Sequence, residues 1–319
     1  MHFLGIESGG TRTTGVLVDS SKENILVKQG KPGNIAVLGK SAFEKNLRLL
    51  LMDLLRNISP DKVAWATFGI AGTGRGAERS LAEEAIAELG FHSFTLVTDG
   101  ELLFHSVFGE NAGVLICAGT GSVGIVRFAH GENKLAQVGG WGYLLGDEGS
   151  GFYMGQQAIR QALIEENTAG ELSAFTREML SFYQVQHASE LVSLVHVSPN
   201  PQNVIAGCAE LICRLADDGD SQAVEIVNEA ARALVQLAEQ AVMQLREGPP
   251  YKVSLAGGLL SPKSPIHERF KNLAQDWGHE FIYYQQRNIP AATAAMLAAE
   301  RANVALSDAL RERLEKTTY

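Results

Sequence analysis

The chain of 319 residues is long enough for two domains, and its 45% hydrophobic and 20% charged residues are typical of a globular protein. A formal net charge of -9 argues against nucleic acid as a partner, because duplex binding requires a basic surface that displaces counterions. No apolar run has the length of a membrane span and no signal peptide precedes the first predicted strand, so we expect a cytoplasmic protein without a membrane partner. The cysteines form no CxxC pair, which argues against a disulfide framework or a zinc site.

Short apolar runs bounded by glycine, serine or charged residues alternate with helical patterns in the first part of the chain. The runs predict strands, and leucines at helical spacing predict the helices. Because strand and helix alternate, we expect an α/β fold with a mostly parallel sheet, whose ligands bind at the carboxyl ends of the strands. The predicted strands are 2–7, 13–20, 24–30, 63–68 and 94–97, and the helices are 41–56, 77–89 and a short one after Gly100.

The same pattern begins again near residue 112, with a strand, a Gly/Thr/Ser loop and a second strand. We interpret this similarity as an internal duplication of one supersecondary unit, so that two similar domains would face each other across a cleft. The expected domains are 1–111 with the C-terminal helices of 290–319, and 112–289. The second half is predicted to contain strands 113–119, 123–128, 134–139, 252–257 and 281–284, a turn at 131–133, and helices 151–166, 172–182, 203–215, 221–245, 266–277, 290–301 and 306–316.

Two similar loops are candidates for phosphate binding. In the first, backbone amides and hydroxyls could hold a phosphate while the carboxylate of Glu7 positions a hydrated Mg2+ ion. A plain glycine hairpin is the alternative for one such loop, and its near repeat argues against that alternative. The residues are Gly9, Gly10, Thr11, Arg12 and Thr13 in the first loop, and Gly119, Thr120, Gly121 and Ser122 in the second.

Gly119, Gly121 and Gly124 also satisfy the G-x-G-x-x-G pattern of dinucleotide-binding folds. The context argues against that reading, because a strand rather than a helix follows. A Walker A loop is excluded because the chain contains no G-K-[ST]. We therefore expect any nucleotide phosphates to be held by the two hairpins.

The glycine-rich segment VGGWGYLLGDEGSG, residues 138–151, predicts a ligand-binding surface. A phosphate loop and a tight turn around a buried Trp141 are the other readings. Since the hairpins account for phosphate binding, we expect the segment to contact another part of the ligand. Its two carboxylates, Asp147 and Glu148, are candidates for a catalytic base.

The motifs GIESGGTRTTG, PGN, FGIAGTG, VTDGELL, ICAGTGSVGIV, GGWGYLLGDEGSG and LAGGLL occur in this order over about residues 3–300. In order and approximate spacing the chain resembles the N-acetylglucosamine kinase and BadF/BadG-type ATPase family of the actin-like sugar kinase superfamily. The resemblance implies two duplicated actin-like (ribonuclease H-like) domains facing a central cleft. It also implies transfer of the γ-phosphate of ATP, with Mg2+, to a small-molecule amino sugar, and a homodimer.

The resemblance also implies a role for each matching position. Asp99 corresponds to the catalytic base and also contacts the sugar, which suits phosphoryl transfer to an alcohol because a carboxylate must accept the hydroxyl proton. A helix N-cap is the structural alternative for Asp99. Thr11 and the loop from Gly119 correspond to the phosphate contacts. The implied sugar contacts are Asn34, Ser122, Gly140, Trp141, Gly142 and Asp147, and the adenosine-side turn is Gly257 and Gly258.

The most favoured acceptor is N-acetylglucosamine, giving the 6-phosphate, with glucosamine or N-acetylmuramic acid as alternatives. Arg75 either meets an acidic substituent of the sugar or is a solvated loop residue. One rival function is an ATP-driven activator with an iron–sulfur cluster near Cys117, although Cys117 continues an apolar run typical of a buried thiol. A sugar-sensing regulator and a nonspecific ATP hydrolase are the other rivals.

Overall fold

The computed structural model describes residues 1–74, 76–128, 135–168, 170–245, 248–286 and 288–318. The chain packs as two compact units. Unit 1 comprises Met1–Glu110 and Gln286–Tyr319, and unit 2 comprises Asn111–Gln285. Within the described residues, no helix combines the length and apolar character that crossing a membrane would require.

The secondary structure follows the predicted alternation of strands and helices. The first segment contains β1 (His2–Ser8), β2 (Thr13–Asp19), β3 (Asn24–Gly30), α1 (Ile35–Leu55), β4 (Val63–Ile70), α2 (Gly76–Glu88), β5 (Phe94–Val97) and α3 (Asp99–Phe108). Unit 2 contains β6 (Gly113–Ala118), β7 (Ser122–Arg127), β8 (Leu135–Gly139), α4 (Gly151–Thr168), α5 (Ala174–Tyr183), α6 (Ala188–Val197), α7 (Pro201–Ala206), α8 (Ala209–Asp217), α9 (Ser221–Gln244), β9 (Tyr251–Ala256), α10 (Pro265–Asp276) and β10 (Phe281–Tyr284). The chain then returns to unit 1 as α11 (Pro290–Arg301) and α12 (Asp308–Glu315).

The two sheets have the same topology. Each has five strands, in the order β3-β2-β1-β4-β5 in unit 1 and β8-β7-β6-β9-β10 in unit 2. In both sheets the first three strands along the chain pair antiparallel and the remaining pairs are parallel. The predicted duplication within an α/β fold is therefore confirmed, and the parallel strands of each unit end at one edge of its sheet.

Unit 1 buries both faces of its sheet, as the alternation of side chains along β1 requires. Leu4 and Ile6 point into a core formed with α1 and α2, whereas Phe3 points into a second core formed with α11 and α12. Gly5 allows close packing on the second face, because a Cβ atom there would overlap the backbone of Ala291 and Ala295 in α11. Helix α11 is thus seated directly on the central strand of unit 1.

Unit 2 has one large core around α9. Small side chains of this helix are fully buried against the sheet and the neighbouring helices, which lets the backbones approach closely. The fully buried alanines of α9 are Ala223, Ala230, Ala231, Ala238 and Ala241.

Two predicted helices differ from the structure, and one observed helix was not predicted. The helix predicted for 41–56 begins at Ile35, because Asn34 caps it, and Gly39 interrupts the regular helical backbone with φ 72°. The helix predicted for 203–215 is two helices, α7 and α8. Helix α6 was not predicted, because few of its side chains are buried and the apolar pattern is correspondingly weak. The turn predicted at 131–133 lies outside the described residues.

We predict that Gly5→Ala lowers the free energy of unfolding by about 1–3 kcal/mol, the usual range for overpacking a well-packed core. The new methyl group would overlap the α11 backbone, which cannot rotate away as a side chain can. Urea unfolding followed by circular dichroism measures the change. Gly170→Ala is the control, because no described heavy atom lies within 4 Å of a Cβ at that position. Equal unfolding free energies for the two variants would contradict the proposed docking of α11.

Candidate functional site

The turn between β1 and β2 is stabilised from within and exposed at its tip. The N–H of Gly9 donates to the carbonyl oxygen of Arg12 at 2.9 Å, and the buried hydroxyl groups of Ser8 and Thr13 are 2.9 Å apart. Gly10, Thr11 and Arg12 are exposed. A Cβ at Gly10 would have no described heavy atom within 4 Å, so the packing of the protein does not itself require glycine there.

Backbone hydrogen bonds attach two further loops to this turn. The N–H of Gly33 donates to the carbonyl oxygen of Gly9 at 3.0 Å, and a Cβ at Gly33 would overlap the hydroxyl of Ser8. The N–H of Ala71, which follows β4, donates to the carbonyl oxygen of Ser8 at 2.8 Å. The loops after β1, β3 and β4 therefore form one connected surface.

Asn34 lies in this connected surface and caps α1. Its Oδ1 atom accepts a hydrogen bond from the N–H of Ala36 at 3.1 Å. Gly72, with φ 85°, packs against the same oxygen, since a Cβ there would lie 2.5 Å from it. The Nδ2 group of Asn34 donates no hydrogen bond within the described part of the chain, so one face of the side-chain amide is available to a ligand.

Asp99 is the first residue of α3, at the carboxyl end of β5. Thr98, rather than Asp99, caps the helix, so the alternative reading of Asp99 as the N-cap is wrong. Burial raises the pKa of the Asp99 carboxyl and the nearby Glu101 charge adds to the rise, against hydrogen bonds from the N–H groups of Gly100 and Asp99. The arrangement makes Asp99 a stronger proton acceptor than an ordinary aspartate.

Glu7 stands near the carboxyl end of β1, in register with Thr14 of β2 and Gly69 of β4. The Thr14 hydroxyl is fully buried and has no hydrogen-bond partner in the described residues. Because Glu7 and Thr14 are paired across neighbouring strands, their side chains lie on one face of the sheet. A carboxylate is a hard oxygen donor of the kind that binds a hydrated divalent cation such as Mg2+.

In unit 2 the turn between β6 and β7 is held by the start of α4. The N–H groups of Gly151 and Phe152 donate to the carbonyl oxygens of Gly119 and Thr120 at 2.8 and 3.1 Å. The hydroxyl of Ser122 donates to the carbonyl oxygen of Glu148 at 2.8 Å. The predicted phosphate loop and the GDEGSG motif are thus one hydrogen-bonded structure.

Asp147 belongs to the same structure. Its side chain is 6% exposed, its φ is 65°, and its Oδ1 atom accepts the N–H of Ser122 at 3.3 Å. A Cβ at Gly121 would lie 2.7 Å from Oδ2, so this glycine is required by packing. Burial raises the pKa of the Asp147 carboxyl and the charge of Glu148 adds to the rise, whereas the Ser122 N–H lowers it.

Trp141 is 65% exposed, so the reading of a tight turn around a buried indole is wrong. Gly139, Gly140 and Gly142 have φ values of 64°, 66° and 84°, a region that favours glycine. These glycines shape the turn that presents the indole on the surface of unit 2.

The turn after β9 lies against the base of the β6–β7 turn. Gly257 has φ 89°, and a Cβ there would overlap the backbone of Ala118. Gly258 has open space at its Cβ position among the described residues. Gly257 is therefore fixed by packing, whereas Gly258 leaves room for a ligand.

The structure brings the sequence-predicted residues together in two groups. In unit 1 the Glu7–Thr13 turn, Asn34 and Asp99 lie at the carboxyl edge of the sheet. In unit 2 the Gly119–Ser122 turn contacts Asp147, and Gly257 packs against Ala118 at the base of that turn. Arg75 lies outside the described residues. Sequence reasoning missed residues that support the groups: the T-x-x-E capping pattern could have revealed Glu101, while no sequence signal marks the contacts of Gly33, Gly72 or Thr14.

Cysteine and metal-ligand clusters play no visible part in either group. No disulfide bond joins the three cysteines, all of which lie in the described part of the chain, and burial raises the pKa of Cys208 and Cys213 to about 11. Cys117 is half-buried on β6. Across the described ranges, no three His, Cys, Asp or Glu side chains cluster as a metal-binding group.

Fold and site define a duplicated α/β protein with glycine-rich turns at the sheet edges. The chain belongs to the BadF/BadG/BcrA/BcrD ATPase family, whose model matches residues 4–298, and it uses ATP. It is 28% identical over 276 residues to the N-acetylmuramic acid/N-acetylglucosamine kinase of Clostridium acetobutylicum, covering 85% of this chain and 89% of that protein. It is also 28% identical over 259 residues to the N-acetyl-D-glucosamine kinase of Dictyostelium discoideum, covering 76% and 80%.

Solved structures show the same fold. A proposed N-acetylglucosamine kinase from Chromobacterium violaceum superposes with a TM-score of 0.74 at 21% identity, over 93% of this chain and 98% of that one. A glucokinase of the ROK family from Streptomyces griseus superposes with a TM-score of 0.54 at 17% identity, over 94% and 100%.

We predict that two glycines of the β6–β7 turn affect different properties of the protein. Gly119→Ala should leave the melting temperature unchanged, because its Cβ would meet no described atom, but should raise the KM for ATP by about tenfold by obstructing a phosphate. Gly121→Ala should lower the unfolding free energy by about 1–3 kcal/mol, because its Cβ would collide with Asp147. Thermal unfolding and ATP-dependent kinetics separate the two effects. An unchanged KM in Gly119→Ala would remove this turn from ATP binding.

Proposed function

We propose that this protein is an ATP- and magnesium-dependent kinase that phosphorylates an amino sugar, giving the 6-phosphate of N-acetylglucosamine. Membership of an ATPase family and the names of the two curated relatives support this proposal. Glucosamine and N-acetylmuramic acid are the alternative acceptors. A cytoplasmic location remains a prediction from the sequence, and a homodimer remains a prediction of the family resemblance.

The observation that carries the proposal is the position of the Asp99 carboxyl group in the first turn of α3, just after the carboxyl end of β5. Phosphoryl transfer to an alcohol needs a carboxylate that aligns the hydroxyl and accepts its proton. A carboxyl group whose pKa is raised by burial holds that proton more strongly than an exposed aspartate does. We therefore assign Asp99 as the base that accepts the proton from the 6-hydroxyl.

The two turns are proposed to hold the phosphates. Backbone N–H groups at the exposed tip around Gly10 and Thr11 can donate to phosphate oxygens, as can that of Thr120. The N–H of Gly119 already donates to the carbonyl oxygen of Gly121 at 2.9 Å, so Gly119 would contribute by leaving space for a phosphate. Bound ATP supplies the phosphoryl group, and Mg2+ offsets the negative charge that develops on it. Glu7 would hold the ion through water.

The remaining turn residues extend the proposed phosphate and nucleotide contacts. Arg12 and Thr13 flank the exposed tip of the first turn, Gly121 completes the second, and the open Gly258 beside Gly257 would face the adenosine.

The proposed sugar contacts differ in kind. The exposed indole of Trp141 would pack on the C–H face of the ring, while the flanking Gly140 and Gly142 let the backbone approach it. The Nδ2 group of Asn34 would donate to a hydroxyl or acyl oxygen. Asp147 already accepts the Ser122 N–H through Oδ1, so its Oδ2 atom would accept from the sugar. The hydroxyl of Ser122 donates a hydrogen bond to the backbone carbonyl oxygen of Glu148, so it would contact the sugar as an acceptor.

An ADP-release assay over a panel of acceptors tests the proposal. ADP release should depend on an amino sugar and should have the highest kcat/KM with N-acetylglucosamine, measured against glucosamine, N-acetylmuramic acid, N-acetylmannosamine and glucose. ADP release at the same rate without any sugar would instead identify an ATP hydrolase, and no release with any acceptor would overturn the proposal.

We predict that Asp99→Asn abolishes turnover but raises the melting temperature at neutral pH. Because the pKa of Asp99 is raised in the folded state, the free energy of unfolding falls as the pH increases from 3.8, the ordinary aspartate value, to the folded-state pKa. The Asp99→Asn variant has no carboxyl group to ionise, so it does not lose this free energy. The gain in stability should therefore vanish below about pH 4, where the carboxyl is protonated in both states. Calorimetry across pH measures the effect. A variant that is active, or less stable than the wild type at neutral pH, would contradict the assignment.

The raised pKa of Asp99 also sets the pH dependence of catalysis in the wild type. Because the base must be ionised, kcat/KM should rise with pH through the pKa of Asp99, above the range of an ordinary aspartate.

We predict that Asn34→Asp and Asn34→Ala separate capping from sugar binding. Aspartate keeps an oxygen to accept the Ala36 N–H but cannot donate, so stability should persist while the KM for the sugar rises about tenfold or more. Alanine loses both interactions and should also lower the unfolding free energy by about 1 kcal/mol. Steady-state kinetics and urea unfolding provide the two readouts. If Asn34→Asp binds the sugar normally, Asn34 serves only as a helix cap.

A further inference from the structure

Glu101 fixes the backbone that carries Asp99. Glu101 is the third residue of α3. Its N–H donates to the Thr98 hydroxyl at 3.0 Å, and its Oε2 atom accepts the N–H of Thr98 at 2.7 Å. These reciprocal bonds constrain the peptide units on both sides of Asp99. Glu101 therefore helps to fix the helix turn from which the Asp99 side chain extends.

The same helix is seated firmly on the sheet of unit 1. A Cβ at Gly69 would overlap the side chain of Leu102, so Leu102 lies directly on β4 at the position paired with Glu7. Before the helix, the guanidinium group of Arg79 donates to the carbonyl oxygen of Leu96 at 2.7 Å and fixes the end of β5. Asp99 thus lies between a fixed strand end and a fixed helix turn.

The negative charge of Glu101 also acts on Asp99. A carboxylate in the first turn of a helix accepts backbone N–H groups and faces the positive end of the helix dipole, which favours ionisation and weakens a base. The negative charge of Glu101 opposes that tendency and raises the pKa of Asp99. Other ionisable groups on the elements packed against α3 are His2 and Glu7 of β1, and Glu300 and Arg301 of α11.

We propose that Glu101 is a positioning residue for phosphoryl transfer, which acts through Thr98 to hold Asp99 against the acceptor hydroxyl. The inference rests on the proposed function of Asp99 as the base. It adds a residue that is not among the proposed nucleotide and sugar contacts.

Two substitutions and one matched control test the proposal in the full-length protein. Glu101→Ala removes the charge and the acceptor, whereas Glu101→Gln keeps an oxygen for the Thr98 N–H and removes only the charge. The control is Glu190→Ala, because Glu190 accepts the N–H of His187 in the equivalent capping position of α6 in unit 2. Both alanine variants lose a helix cap, but only one cap adjoins Asp99.

We expect Glu101→Ala to lower kcat by about 10- to 100-fold with little change in either KM, as a misplaced catalytic group does. Glu101→Gln should restore most of kcat at high pH, and the acid limb of its kcat/KM profile should move to lower pH because the repelling charge is gone. Glu190→Ala should keep the wild-type kcat. The proposal is overturned if Glu101→Ala keeps kcat within about twofold of the wild type or if the two alanine variants lose kcat equally.

Failure of the proposed function has a different signature. If the wild type releases no ADP with any amino sugar, the assignment as a sugar kinase fails. The role of Glu101 is then read from carboxyl 13C NMR of Asp99, which needs no turnover. A titration that moves to lower pH in Glu101→Gln supports the inference, and an unchanged titration overturns it.

Discussion

Two backbone hydrogen bonds to the first turn organise the site of unit 1. The carbonyl oxygens of Ser8 and Gly9 accept the N–H groups of Ala71 and Gly33, which follow different strands. The bonds are possible because β1 and β4 are parallel neighbours and end at the same edge of the sheet. Once these loops are joined, Asn34 caps its helix at a defined place. The geometry offered to a ligand is therefore a consequence of strand order.

Glycine serves two physically different purposes in these loops. At Gly33, Gly121 and Gly257 the protein itself occupies the space of a Cβ, so glycine is a packing requirement. At Gly10, Gly119 and Gly258 no described atom occupies that space, so a requirement for glycine would come from outside the chain. In the sequence, all six of these glycines lie in similar glycine-rich motifs. Only three-dimensional contacts separate those that build the loops from those that leave them open.

Local patterns predicted the strands, because apolar runs with turn residues at their ends report burial directly. They also predicted the duplication, which the matching strand orders confirm. The start of α1 was missed because Gly39 separates its first turn from the leucine pattern. The contact of Asp147 with the second turn was missed because it joins residues far apart in sequence, and the left-handed backbone of Asp147 carries no sequence signal.

The central claim is that a desolvated Asp99 accepts the proton of a sugar hydroxyl while phosphate moves to its oxygen. 31P NMR with 1H–31P correlation, applied to the protein with ATP, Mg2+ and N-acetylglucosamine, tests this most directly. The account predicts a phosphomonoester coupled to the protons of C6, formed in equal amount with ADP. Inorganic phosphate accumulating with ADP, without a sugar phosphomonoester, would contradict it.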